Sequence, residues 1–185
     1  MFRSIGIFFL DILEVIVFAI AIFLFVYLLL LQPHKIKGDS MQPNFPNGEY
    51  LLTAKVSYRI REPERGEVIV FEAPQTQAEE FIKRIIGLPG ELVSVKGGAV
   101  FIDGKRLGEP YLGLGVVTLS GNFLKEAEEV IIPDGQYLVL GDNRLHSSDS
   151  RAWGFVPKSN ITGRAWVIYW PIAKAGPIED IKYAF

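Results

Sequence analysis

The chain has no cysteine, only two histidines (His34 and His146) and only two methionines. The missing cysteine excludes disulfides and thiol nucleophiles, although it fixes no compartment. With two imidazoles and no thiolate, a zinc site would lean on carboxylates, a poor donor set for that ion. An excess of either charge is missing too. Nineteen basic against 21 acidic residues leave a net charge of −2, so there is no basic footprint for a nucleic acid. No internal repeat or low-complexity tract occurs, and beyond residue 33 no segment keeps helical periodicity for more than three turns.

What is abundant is apolar sequence, gathered at one end. From Ile5 to Leu31 only Gly6, Asp11 and Glu14 interrupt it, and Val15–Leu31 is unbroken. At roughly 1.5 Å per residue that stretch covers about 25 Å, enough to cross hydrocarbon. Asp11 and Glu14, three apart, share a helix face near the N-terminal end, where they reach headgroups. Tyr27 and Pro33-His34-Lys35 mark the other interface. The run exceeds the roughly 7–15 residues of a cleavable signal peptide's apolar segment. The expectation is therefore an anchor in residues 1–33, with its helix at about 12–31, followed by a separate domain in 34–185. Only Arg3 precedes the helix, whereas Lys35, Lys37, Lys55, Arg59 and Arg61 follow it, a charge pattern that by itself favours a cytoplasmic domain.

The remainder reads as mainly β. Short runs rich in β-branched and aromatic residues recur at Tyr50–Val56, Glu67–Phe71, Glu80–Ile86, Glu91–Lys96, Ala99–Ile102, Val130–Ile132, Gln136–Leu140 and Arg164–Trp170. Gly97-Gly98, Asp103-Gly104 and Pro133-Asp134-Gly135 supply turns between them. Leu107–Glu129 is the least regular stretch and reads as a variable insertion or loose flap.

Four clusters carry chemistry: Gly38-Asp39-Ser40-Met41-Gln42-Pro43, Arg65–Pro74, Phe81–Glu91 and Gly141–Pro157. Taken singly each is bland. Ser40 reads as a turn or cap serine, and Lys83 as a strand lysine whose ammonium snorkels to solvent. Alternation sends Lys83 to the face of Phe81 and Ile85, opposite Ile82, Arg84 and Ile86. If that face is buried, desolvation lowers the amine's pKa by several units, and a neutral amine can take a serine proton. The two histidines offer no better base: His34 abuts the membrane and His146 neighbours Ser147 rather than Ser40. Acidic residues between Asp142 and Asp149 interleave with arginines, which favours ion pairs over a metal loop.

Read together, the segments around Ser40, Arg65, Lys83 and Asp142–Arg151 resemble, in order and spacing, the sequence boxes of the bacterial type I signal peptidases, as does an anchor followed by a serine. The resemblance covers nearly all of the chain after residue 15 except Leu107–Glu129. It implies a β-sheet, barrel-like catalytic domain in which Ser40 is the acylating nucleophile and Lys83 its general base. Ser147 matches the serine that orients that lysine, and Asp149 and Arg151 a structural pair, supported by Asp142 and Arg144. The family's oxyanion hole uses the nucleophile's own N–H. Some members add a serine hydroxyl two residues earlier, where this chain has Gly38. Met41 is expected to line shallow substrate pockets, with Ile36 and Ile82 placed beside it. No cofactor or metal is implied.

The implied partners are secreted preproteins cut after Ala-X-Ala-like sites, the lipid bilayer and the translocation machinery. The resemblance puts the domain on the extracytoplasmic side, and four ordered boxes outweigh a few charges. Trp153, Trp166, Tyr169 and Trp170 are candidates for resting on headgroups, with a core role for Trp166 equally open. Two other readings stay open: a Ser-Lys peptidase dedicated to maturing one secreted or conjugative-transfer protein, and an inactive membrane-tethered β domain that binds partners.

Overall fold

The computed structural model describes residues 2–74, 79–181 and 183. Helix α1 spans Phe2–Phe25, and a short π-helical turn continues it through Val26–Leu30. It carries a 19-residue apolar stretch, Ile7–Phe25, of mean hydropathy 2.8. All its side chains from Ile7 to Phe25 are exposed. Among the described residues none covers this stretch, whose length and composition are those of a helix able to cross a membrane. The helix begins about ten residues earlier than the sequence predicts, so Asp11 and Glu14 lie inside it rather than at its end.

The C-terminal end of the run also differs from expectation. Leu31–Lys35 is strand β1, paired antiparallel with β2 (Tyr50–Ala54) from Leu31↔Ala54 to Lys35↔Tyr50. A boundary at residue 33 would therefore cut a strand of the main sheet. Composition missed this because Leu31 continues the apolar run while Pro33 argues against a strand. As an edge strand with no second neighbour among the described residues, β1 tolerates the lost N–H.

A short helix α2 (Ser57–Ile60) precedes β3 (Val68–Glu72) and β4 (Glu80–Gly87). Then come β5 (Leu92–Lys96), β6 (Ala99–Ile102), β7 (Lys105–Arg106), β8 (Val130–Ile131) and β9 (Gln136–Leu140). After α3 (Ser150–Trp153) the chain adds β10 (Val156–Pro157), β11 (Ile161–Trp170) and β12 (Gly176–Pro177). The larger sheet runs β1-β2-β11-β3-β4-β9-β10, with β12 also on β11, and the smaller runs β7-β6-β5-β8. Gly97-Gly98 and Asp103-Gly104 all hold positive φ, which joins β5 to β6 and β6 to β7 by two-residue turns.

Alternation along β4 couples the two halves of the core. Ile85 packs with Ile69, Phe71 and Val139, whereas Ile86 packs with Val93, Val100 and Ile132 near the smaller sheet. The sequence-predicted strands all appear, with ends shifted by a few residues at most. Leu107–Glu129 is irregular but not loose. Leu124 is fully buried, Phe123 and Leu124 donate backbone N–H bonds to Arg151, and Thr118 and Ala127 to Gly98 and Val95. Of the four aromatics expected at a membrane surface, Trp153 is instead packed against Phe71, while Trp166, Tyr169 and Trp170 are exposed.

Candidate active site

Ser40 sits on a loop between β1 and β2 that is tied at both ends. Ile36 donates to Glu49 (2.8 Å), Gly48 donates to Ile36 (2.9 Å), and Met41 and Phe45 anchor the loop in the core. Gly38 holds φ +84°, a left-handed conformation in which a serine would be strained. The backbone thus gives a physical reason why no hydroxyl stands two residues before Ser40.

Lys83 points inward from β4 and is only 4% exposed. Its Nζ donates to Ser40 Oγ at 2.8 Å and to the Ile82 carbonyl at 3.0 Å. Burial lowers the amine pKa from 10.5 to about 8, against the opposing pull of the Asp149 and Asp142 carboxylates. At pH 7.4 roughly a fifth of such amines are neutral, against about one in a thousand at the ordinary value. A neutral amine in contact with a hydroxyl can accept its proton. Neither histidine does so. His34 pairs through Nδ1 with Glu80 (3.2 Å), and His146 lines a groove beside the site without bonding Ser40.

The third segment, Gly141–Arg151, packs behind this pair. Asp149 accepts from Arg151 Nε and Nη2 (both 2.8 Å) and from the Gly141 N–H (3.1 Å). Asp142 and Arg144 are both buried, and their side chains reach different partners. Asp142 takes a two-pronged bond from Arg84 Nε and Nη2 at 2.9 and 2.7 Å, and also accepts from Asn44. Arg144 reaches the other way, to Glu109, Tyr111 and Thr118, and so fastens the insertion. Ser147 departs from its expected role: its Oγ is buried and, among the described residues, has no hydrogen-bond partner, because the Lys83 amine turns instead to Ser40 and the Ile82 carbonyl.

Two predictions arise here. A Cβ on Gly141 would fall 2.2 Å from Ser147 Oγ and 2.4 Å from the Ser40 carbonyl. Gly141→Ala should displace Ser40 by a fraction of an ångström and, if Ser40 is the nucleophile, reduce turnover about 10²-fold. Single-turnover kinetics check this, and a loss below threefold would contradict it. Arg84→Met leaves the Asp142 carboxylate buried and unpaired, at a cost of about 3–5 kcal/mol in stability. The check is the denaturation midpoint of the detergent-solubilised chain.

A groove of about 830 Å³ opens in front of Ser40 between β1 and the first half of β4. β4 pairs with β9 only from Arg84 onward, so the edge at Phe81–Lys83 is open on that side, as is the outer edge of β1. Ile36, Leu51, Val70 and Ile82 line the groove. Met41 does not: it is 1% exposed, and its sulfur accepts the Asp142 N–H at 3.4 Å. It supports the Ser40 loop from below, since the turn after Ser40 directs it into the core. Sequence reasoning also missed Arg84, Asn44 and Asn143. Arg84 adjoins Lys83 on the opposite strand face, a signal for a second buried cation, whereas nothing local marks either asparagine. Among the described residues no group of three or more acidic or histidine side chains is arranged to hold a metal.

The family described as "Signal peptidase, peptidase S26" matches residues 9–170. A probable signal peptidase I-2 of Synechocystis is 43% identical over 150 residues, 78% of this chain and 66% of that protein, so the chain spans just under two thirds of this relative. A signal peptidase IB of Staphylococcus aureus is 34% identical over 164 residues, covering 83% of this chain and 82% of its own length. A crystal structure of a signal peptidase I from Enterococcus faecalis superposes with a TM-score of 0.47 at 31% identity, over 56% of this chain and 97% of that one. With the match running through the segments that carry Ser40, Lys83 and Gly141–Arg151, the chain belongs to the signal peptidase family, peptidase S26.

Proposed function

We propose that this protein is a membrane-anchored serine endopeptidase that removes signal peptides from secreted preproteins with a Ser40–Lys83 dyad. The observation that carries the reading is the 2.8 Å contact between Ser40 Oγ and an amine buried enough to be partly neutral at physiological pH. In acylation Lys83 takes the Ser40 proton as Oγ bonds to the scissile carbonyl carbon, and the Ser40 backbone N–H donates to the oxyanion. The C–N bond then breaks, and the departing amine takes the proton back from the Lys83 ammonium. Water, deprotonated by Lys83, hydrolyses the ester and frees Ser40.

The substrate lies extended between the free edges of β1 and β4, adding a strand. Side chains one and three residues before the cut then face the same side, toward Ile36 and Ile82. These branched side chains leave shallow space, which fits small residues as in Ala-X-Ala. Helix α1 spans the bilayer, its 19-residue apolar stretch measuring about 28 Å. The catalytic domain faces the extracytoplasmic side, with the exposed Trp166, Tyr169 and Trp170 at the headgroups. Ser40, nine residues beyond Leu31, then lies close to the surface where a translocated preprotein presents its signal peptide.

The test is cleavage of a preprotein with an Ala-X-Ala site, followed against pH. The rate should rise with an apparent midpoint near 8 as Lys83 loses its proton. A midpoint near 10, or none, would sink the buried-amine mechanism. Protease accessibility of the domain in sealed vesicles reads its orientation.

A further inference from the structure

With Gly38 in place of a hydroxyl, the proposed oxyanion hole depends on one peptide unit, the one joining Asp39 to Ser40. A trans peptide is rigid, and its N–H and C=O point in opposite directions. Whatever holds the Asp39 carbonyl therefore aims the Ser40 N–H. Two groups hold it. The Gln42 N–H donates from within the same turn (3.1 Å), and Asn143 Nδ2 donates from the Gly141–Arg151 segment (3.1 Å). The Asn143 backbone N–H in turn donates to the Ser40 carbonyl at 3.0 Å. One residue, 103 positions along the chain from Ser40, thus grips the peptide units on both sides of the nucleophile.

The placement has a direction. Asp39 and Ser40 line the groove and Asn143 does not. A carbonyl drawn toward Asn143 turns the opposite end of its peptide toward the groove, where a substrate carbonyl would lie. The Ser40 N–H has no partner among the described residues, as a donor kept free for a ligand requires.

We infer that Asn143 is a positioning residue that sets the direction of the oxyanion-binding N–H through the Asp39 carbonyl, and that Gln42 alone does not fix it. This rests on the Ser40–Lys83 reading above. Asn143 touches neither the substrate nor the reacting atoms, and it leaves the Ser40–Lys83 contact unchanged. Its removal should therefore weaken stabilisation of the tetrahedral state without altering substrate binding or the amine.

Asn143→Ala removes only the side-chain tie and keeps the backbone bond to Ser40. Asn143→Asp keeps the size and replaces the donor with an acceptor that repels the Asp39 carbonyl. In the full-length chain in detergent, both variants should lose about 10²-fold in kcat on a preprotein, the scale of one oxyanion donor. KM should stay within twofold. Affinity for a peptide aldehyde, whose adduct with Ser40 carries the same oxyanion, should fall in parallel. The pH midpoint near 8 and the thermal midpoint should not move, as they would if Asn143 merely held the loop together. A kcat within threefold of the parent, unchanged aldehyde affinity or a displaced pH midpoint each overturns the assignment. Ser40→Ala in the same assay separates the two levels: an active Ser40→Ala refutes the peptidase reading itself. A dead Ser40→Ala beside an active Asn143→Ala refutes only the role of Asn143.

Discussion

Lys83→Met is expected to abolish preprotein cleavage, by about 10⁴-fold or more, while leaving the domain more stable at neutral pH than the parent. The two effects share one cause. The folded-state pKa of Lys83 lies near 8 rather than 10.5, because burial penalises the ammonium form. Its protonated form is thus harder to bury than to leave in the unfolded chain. The resulting destabilisation is complete below pH 8 and vanishes as pH rises from 8 through 10.5. A drop of that size corresponds to about 3 kcal/mol. Methionine fills nearly the same volume without a charge to desolvate. Losing the bonds to Ser40 Oγ and the Ile82 carbonyl returns about 1–2 kcal/mol, so a net gain of about 1–2 kcal/mol is expected at pH 7. Urea titrations of parent and variant across pH 7–10.5 measure this. The parent should gain stability relative to the variant over that window. If Lys83→Met is less stable at pH 7, or the difference does not depend on pH, the amine is not desolvated as the geometry requires.

Ser40→Ala should lose comparable activity for a different reason, and its stability should hardly change. In the proposed acylation the new bond needs Oγ, and among the described residues no neighbouring hydroxyl is bonded to the amine to stand in for it. Ser147 Oγ is buried without a bond to the amine, and the hydrogen bonds of the Lys83 amine go to Ser40 and the Ile82 carbonyl rather than to Ser148, which lines the groove. The alanine variant keeps the loop's ties through Ile36, Gly48 and Asn143, all of them backbone or remote from Oγ. Its denaturation midpoint should stay within about 1 kcal/mol of the parent. Residual cleavage above one part in 10³ would show that another nucleophile operates. A folded, inactive Ser40→Ala should still retain a signal peptide in the groove, which makes it the variant of choice for capturing bound substrate.

The strands of the domain were legible because each carries its own signal: β-branched and aromatic runs bounded by Gly-Gly, Asp-Gly or Pro-Asp-Gly turns. Strand β1 was not. Its Leu31 is indistinguishable by composition from the helix before it, and only pairing with Tyr50–Ala54 makes Leu31–Lys35 a strand. The insertion's firmness was equally hidden, since it comes from Arg144 and Arg151 reaching it from a distant segment. At the site, the order of the boxes pointed to Ser40, Lys83, Asp149 and Arg151, and the fold bonds Lys83 to Ser40 and Arg151 to Asp149. That order also assigned Met41 to a pocket, and Asp142 and Arg144 to supporting the Asp149–Arg151 pair. The fold sends the first into the core and gives Asp142 to Arg84.

By itself the sequence determined an apolar helix, a β domain behind it and a serine and a lysine of the right kinds, because composition, alternation and turn chemistry act over a few neighbouring residues. Only the tertiary structure decided that residues 43 positions apart meet at 2.8 Å, that the amine is stripped of water, and which carboxylate each arginine holds. Desolvation and hydrogen-bond geometry depend on what surrounds a group in space, and for Lys83 those surroundings come from three segments that the chain brings together only on folding.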